Sequence, residues 1–454
     1  MQSKFKAIIT GLSGLLFGGV MITTLNSCGG NSAKYVPATA TNELMEEYME
    51  AQVADNDLND GVNAYFDFSN GLDWAYRINN NKSCLRDIVN QLRDDETDFF
   101  KLANGEITEI DGDKEAVFNT ITNPASYRNT AAPIRKALDA IANGGKPALL
   151  VTDYEEYDGK TIHKSAYARS YFTDWVKNGG DITFLIMDYK EGGKTKKIFF
   201  TVFDGGEHKL LNAVKSALGT DSEYKTFTIG RNAIDFTAQY PGNHKGGNFH
   251  NADGNDLISF VVEDPTTNRH FFRSDDVNAE FYPIDGLQGF NEIGVNTMDE
   301  AFAGEFKNLF GNLFADFSRF PYRDVELGLK VYDVQGDFEE FVMAEQNDTT
   351  YTPDALRLIE IPNLLALNKE INATDLGREI AINFSDDYTP DADPLTDLVR
   401  VDVVVKSVKD LTKEDLEPLF KWGDNDNLSE SIRLSLQDLR PAGETIYSYY
   451  IQIQ

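Results

Sequence analysis

Two cysteines and five histidines are all the thiols and imidazoles that the 454-residue sequence offers to a metal. The cysteines, Cys28 and Cys84, follow no paired spacing, and no zinc motif appears. A disulfide framework like that of small secreted scaffolds is excluded. Cys84, in Ser83-Cys84-Leu85-Arg86-Asp87-Ile88-Val89, reads as a small buried residue on a helix face, with no nearby histidine to make it a nucleophile. His244, His250 and His270 stand in loop-like surroundings without tight ligand spacing, and His163 reads as structural. Positive charge is the second shortage. The chain has 42 Lys and Arg against 74 Asp and Glu, a formal net charge of −32. Such a surface repels nucleic acid and anionic lipid head groups and favours divalent cations and cationic partners. A serine-nucleophile elbow and a phosphate-binding loop are also missing, which leaves little positive case for an enzyme. Paired acids such as Asp386-Asp387 and Glu339-Glu340 suit acid–base chemistry but have no spacing that builds a pocket.

What is present begins with an address. Lys4 and Lys6 precede an uncharged apolar run, Ala7 to Val20, and Leu25-Asn26-Ser27-Cys28-Gly29 follows. The run is short and glycine-rich for a membrane span and ends at a cleavage-like site, which predicts an export signal over 1–27. It resembles a bacterial lipoprotein signal. That resemblance implies lipidation at Cys28 and anchoring in the cell envelope, at the outer membrane, on its periplasmic or surface face. Its removal takes away two lysines and no acid, so the mature chain is more acidic still. Residues 28–59 read as a tether and lead-in. The Gly/Asn/Ser and Pro/Thr segments at 29–41 cannot bury enough to fold alone, and Asn42 to Ala54 predicts a helix. Asp55 to Gly61 has the acids of a calcium loop but the wrong spacing, with Phe66 at the twelfth place, and reads as a turn.

The remainder can build cores: 41% of the chain is hydrophobic and 12% aromatic. Apolar runs of strand length alternate with helical patterns from about 60 to 218. Strands are expected at Ala64–Phe68, Glu106–Ile110, Leu149–Val151, Ile182–Met187 and Ile198–Phe203. Helices are expected at Trp74–Asp94, Thr130–Ala142, Ser165–Lys177 and His208–Leu218, the middle two stopped by Asn-Gly-Gly. This predicts an α/β fold with a doubly wound, mostly parallel sheet.

Two of these strands end in acids. Ala64-Tyr65-Phe66 runs into Asp67-Phe68-Ser69-Asn70-Gly71, and Leu149-Leu150-Val151 runs into Thr152-Asp153-Tyr154. In doubly wound sheets ligands sit outside the carboxyl ends of strands, and carboxylates with hydroxyls there suit a hard cation. On these residues the stretch 60–215 resembles a von Willebrand factor A (VWA) domain, whose metal-ion-dependent adhesion site reads Asp-x-Ser-x-Ser, then Thr, then Thr-Asp-Gly. The resemblance implies that Asp67, Ser69, Thr130 and Asp153 hold Mg²⁺, or Ca²⁺ or Mn²⁺. Gly71 stands where the pattern has its second Ser, and Tyr154 where it has Gly. The resemblance also implies a protein partner that offers a carboxylate to the metal. Glu155, Glu156 and Asp158 crowd the same side and read first as a solvated acidic loop, with Glu155 near the site. Asp204 to His208 reads as a strand end, turn and helix cap.

Residues 219–324 read as a mixed region with short strands at Tyr224–Ile229, Leu257–Val262 and His270–Arg273. The stripe Phe302, Phe306, Leu309, Phe310, Leu313, Phe314, Phe317 predicts a core or docking helix. From 325 to 454, alternation at Val325–Val334, Glu379–Phe384, Val399–Val405, Ser431–Leu436 and Ile446–Ile453 predicts an antiparallel β-sandwich. Asp424 to Asn427 reads as a turn. The whole is expected to be a lipid-anchored envelope protein that binds a partner through a divalent metal. Two alternatives stand beside it: a hydrolase of envelope polymers with acidic catalysts, and a metal-free structural scaffold.

Overall fold

A computed structural model describes residues 42–453 apart from several connecting segments, the longest being 294–311, 388–397 and 368–376. Between 235 and 314 only backbone is described, and residues 1–41, with Cys28, lie outside the described residues. Residues 40–454 form one compact unit.

The lead-in is helical as expected, α1 being Asn42–Gln52. A seven-stranded sheet follows. Its strands are β1 (Val62–Asp67), β2 (Thr97–Ala103), β3 (Glu106–Glu109), β4 (Ala148–Thr152), β5 (Asp181–Glu191), β6 (Lys194–Asp204) and β7 (Lys225–Ile229). The spatial order is β3-β2-β1-β4-β6-β5-β7. β1 pairs in parallel with both β2 and β4, which makes a parallel centre. The other four pairings are antiparallel, so the sheet is mixed. The departure from a doubly wound sheet has a local cause. Gly192 and Gly193 take φ of +55° and +82°, a two-residue reversal that closes β5 onto β6 as a hairpin instead of a helical crossover.

Both faces of this sheet are covered, as near-continuous apolar strands require. On one face Phe66, Leu149, Val151, Phe200 and Val202 meet Leu85 and Ile88 of α2 (Asn81–Gln91). Val117 of α3 (Lys114–Thr122) joins this layer. On the other face, Tyr65, Leu150, Phe184, Phe199 and Phe203 meet α4 (Ile134–Gly144) and α5 (Arg169–Lys177). The helix α6 (Lys209–Leu218) packs on the first face, and its start is capped as expected, Asp204 accepting from the amides of Gly205 and Leu211.

Beyond β7 the chain forms two further sheets. One is four-stranded and antiparallel; in spatial order its strands are β8 (Asp235–Gln239), β14 (Asn312–Asp316), β18 (Gly377–Phe384) and β17 (Leu365–Leu367). A nine-stranded sheet begins with β9 (Gly247–His250), β10 (Asp256–Asp264), β11 (Arg269–Arg273), β12 (Asn278–Tyr282) and β13 (Phe290–Ile293). It continues through β20 (Thr445–Ile453), β19 (Leu398–Asp410), β15 (Tyr322–Asp333) and β16 (Ile359–Glu360). The expected strands in this half recur within a few residues, but two expectations fail. Leu313 and Phe314 lie in β14 and Phe317 just past it, so this part of the phenylalanine stripe is not helical; its earlier members lie outside the described residues. Ser431–Leu436 belongs to helix α9 (Asn427–Asp438). The run Ser-Ile-Arg-Leu-Ser-Leu alternates, yet Leu428, Ile432 and Leu436 recur every four residues and are the buried apolar residues, Leu434 being half-buried, so the helical period governs. Two more helices interrupt the strands: α7 (Gln335–Gln346), burying Phe338, Phe341 and Val342, and α8 (Lys413–Phe420).

α8 and α9 pack over the seven-stranded sheet. Phe420 stacks on Phe199 with centroids 6.0 Å apart and meets Phe184 edge-on. At the other end, the Tyr48 hydroxyl of α1 donates to Asp337 Oδ2 at 2.6 Å, and Tyr351 donates to the same oxygen. Among the described residues no helix is long and apolar enough to cross a membrane.

Candidate functional site

β1 and β4 run side by side, Phe66 paired with Val151, so the next residues of each strand leave the same carboxyl edge together. Asp67 is fully buried there. Its Oδ1 accepts the Ser69 amide at 2.8 Å, and its Oδ2 accepts the Thr152 hydroxyl at 2.7 Å. Asp153 is also buried; its Oδ1 accepts the Glu155 amide at 2.9 Å and its Oδ2 lies 3.5 Å from the Tyr189 hydroxyl. The structure thus places Asp67, Ser69 and Asp153 at one edge of the sheet, while Thr130 lies outside the described residues.

Gly71 belongs to the same cluster. A side-chain carbon built on it would lie 3.6 Å from Lys196 Nζ, 3.6 Å from Glu191 Oε1 and 3.7 Å from Asp153 Oδ2. Tyr154 has φ +55°, the left-handed conformation in which glycine rests without strain. The ring is held there by Phe172, Phe184 and Phe199, and the hydroxyl donates to Thr201 Oγ1 at 3.0 Å. Its carbonyl accepts from Asn427 Nδ2 of α9 and from the Tyr167 hydroxyl.

Glu155 is not the solvated acid that the sequence suggests: it is buried, with Glu156 beside it. Glu155 Oε1 accepts Trp422 Nε1 at 2.9 Å, and Oε2 accepts Lys196 Nζ at 3.0 Å and the Tyr157 hydroxyl at 3.1 Å. Lys196 also pairs with Glu191 at 2.6 Å. Glu156 pairs with Arg135 at 2.9 Å.

Burial sets the electrostatics first, and neighbouring acids add to it. Burial pushes the Asp67 carboxyl up to about 6, with the charge of Glu155 adding and the Thr152 and Ser69 hydrogen bonds opposing. Burial, then Glu155 and Asp67, raise Asp153 well above the carboxylate range, against the pull of Lys196. Burial works against the charge on Lys196, but Asp153, Glu191 and Glu155 outweigh it and hold the ammonium above its ordinary range.

The donor set is chemically right for a hard cation: carboxylates and hydroxyls, without thiolate or imidazole. Lys196 already acts as a stand-in cation inside it. Among the described residues, no group of three or more His, Cys, Asp or Glu is arranged to hold a metal by those side chains alone. A metal here would therefore draw on the hydroxyls of Ser69 and Thr152 and on water as well as Asp67 and Asp153.

Three partners escape the sequence reading, Tyr189, Lys196 and Trp422, while Thr152 stands in the quoted run Thr152-Asp153-Tyr154 without a role of its own. The paired glycines at 192 and 193 carry a hairpin signal that would have set Tyr189 opposite Lys196. Nothing local in the sequence points to Trp422, which reaches Glu155 from 267 residues away. The other sequence candidates fall elsewhere. Glu340 pairs with Arg357 at 2.8 Å, Asn425 bridges Trp422 in the expected turn, and Cys84 is buried on α2. His163 and His244, and the side chains of His250 and His270, lie outside the described residues. Comparison with family models, curated proteins and solved structures finds no match to this chain.

Proposed function

We propose that this is a lipid-anchored protein of the bacterial cell envelope whose α/β unit is VWA-like and binds a partner protein through a divalent cation. Asp67, Ser69, Thr130 and Asp153 would hold Mg²⁺, with Ca²⁺ or Mn²⁺ as substitutes, and Gly71 and Glu155 border the site. Lipidation at Cys28 would fix the chain to the outer membrane. Residues 325–454 would form an antiparallel β-sandwich that serves as a support. One observation carries the reading. Two buried carboxyls, each backed by a hydroxyl or an amide, leave the carboxyl ends of neighbouring parallel strands, and the second is followed by a left-handed residue. When bound, the metal would supply an open position for a partner's carboxylate. The protein's own residues hold the loop, exclude water and keep the oxygens converged.

A second reading, a metal-free scaffold, is favoured by Lys196, whose ammonium already neutralises part of the cluster. Thermal unfolding of the full chain in detergent separates the two. With millimolar Mg²⁺, Ca²⁺ or Mn²⁺ the midpoint should rise relative to EDTA at matched ionic strength, and the rise should vanish in Asp67→Ala. At a metal concentration a hundred times Kd the gain is about 2.7 kcal/mol. An unchanged midpoint at every metal concentration would leave only the scaffold.

A further inference from the structure

Lys196 stands where a cation site needs its cation. It faces Tyr189 across the β5–β6 hairpin, and the Tyr189 hydroxyl lies 3.5 Å from Asp153 Oδ2. The ammonium touches Glu155 at 3.0 Å and Glu191 at 2.6 Å. It also comes within 3.6 Å of the side-chain position that Gly71 leaves empty, beside Asp153 Oδ2 at 3.7 Å from that point. Two carboxylates, Glu155 and Glu191, therefore touch the ammonium, and the neighbouring Asp153 acts on it through its charge. The lysine side chain is 17% exposed, and its flexible stem lets the charged end swing to solvent without moving β6.

We propose that Lys196 is the resident cation of this site, and that a divalent metal enters only by exchanging with its ammonium. This rests on the reading of Asp67 and Asp153 as a cation site. The physical reason is mutual exclusion. An ammonium and a metal ion drawing on Asp153 from within the same cluster repel each other, and burial weakens the screening that water would provide. The acids alone retain surplus negative charge after pairing with one lysine, so a divalent ion gains what the lysine cannot supply. Glu191 and Glu155 can stay with either cation. The exchange would make occupancy depend on metal concentration, with the lysine holding the acids together when metal is scarce.

The test uses the full chain in detergent, with Mn²⁺ and Mg²⁺ alone as probes. By calorimetry, Lys196→Met should bind Mn²⁺ at least about tenfold more tightly than wild type, a difference of about 1.4 kcal/mol. Asp67→Asn should bind at least about tenfold more weakly than wild type on the same scale. A second readout needs no variant. Amine-reactive labelling of Lys196, followed by mass spectrometry, should be faster in wild type with Mn²⁺ than with EDTA. Binding by Lys196→Met where wild type binds nothing supports the exchange in its strongest form. Unchanged labelling of Lys196 in wild type that binds Mn²⁺ overturns the exchange and leaves the cation site standing. Equal affinity of wild type and Lys196→Met does the same. Absence of binding in both overturns the exchange together with the cation-site reading.

Discussion

Tyr154 holds a backbone conformation that costs a side-chain-bearing residue about 1–2 kcal/mol, and the fold repays it through the ring. Phe172, Phe184, Phe199 and the Thr201 hydroxyl grip the side chain, and α9 grips the carbonyl. Urea unfolding of Tyr154→Ala should show a loss of about 3–5 kcal/mol, and Tyr154→Phe only about 1 kcal/mol, for the hydroxyl. A second residue-scale consequence concerns pH. The Asp67 carboxyl rises to about 6 in the folded protein, so the folded state binds its proton more tightly than the unfolded state does. Its stabilising contribution is complete below the unfolded value near 4 and is lost as pH rises through about 6, worth about 3 kcal/mol. Metal-free wild type should therefore lose stability relative to Asp67→Asn between those limits. A parallel course for the two proteins would show that Asp67 does not titrate there.

At the scale of elements, the site depends on a hairpin and a helix pair that lie far apart in sequence. Trp422, in the turn between α8 and α9, donates to Glu155 Oε1, and Phe420, two residues before it, packs on Phe199 and Phe184. Trp422→Phe keeps a large apolar ring but removes the donor. It should cost about 1.5–3 kcal/mol, the value of a hydrogen bond to a charged group, measured by chemical denaturation at pH 7. The same elements show what the sequence reveals. β1 and β4 are legible because strands buried on both faces read as unbroken apolar runs, and Asp67 and Asp153 are legible because each ends such a run. Lys196 and Trp422 are not, since their partners are fixed by tertiary pairing and not by spacing. Ser431–Leu436 carries both periods at once, and only the packing of Leu428, Ile432 and Leu436 against the core decides for helix. α7 is hidden within a half of the chain dominated by β alternation, although Phe338, Phe341 and Val342 carry its spacing.

At the scale of the whole molecule, α1 is not a loose lead-in. Tyr48 packs against Phe338, Phe341, Tyr351 and Tyr450, and its hydroxyl shares Asp337 Oδ2 with Tyr351. Arg357 closes the clasp on Asp337 Oδ1 at 3.3 Å. Asp337→Ala leaves two hydroxyls and a guanidinium without their buried acceptor and should cost about 3–5 kcal/mol. Hydrogen exchange should show α1 amides losing protection in that variant before those of β1 and β4; simultaneous loss would mean that the clasp serves the entire unit.

The clasp also sets a mechanical path. Tension applied to the chain ahead of Asn42 enters through α1, crosses the Tyr48–Asp337 contact and passes into α7 and, by Tyr450, into β20 of the long sheet. The ring contacts of Tyr48 include no strand of the seven-stranded sheet that carries Asp67 and Asp153. While the Tyr48 clasp holds, a pull on the amino end loads α7 and the long sheet; once it gives way, the load passes along the chain into β1, which ends at Asp67.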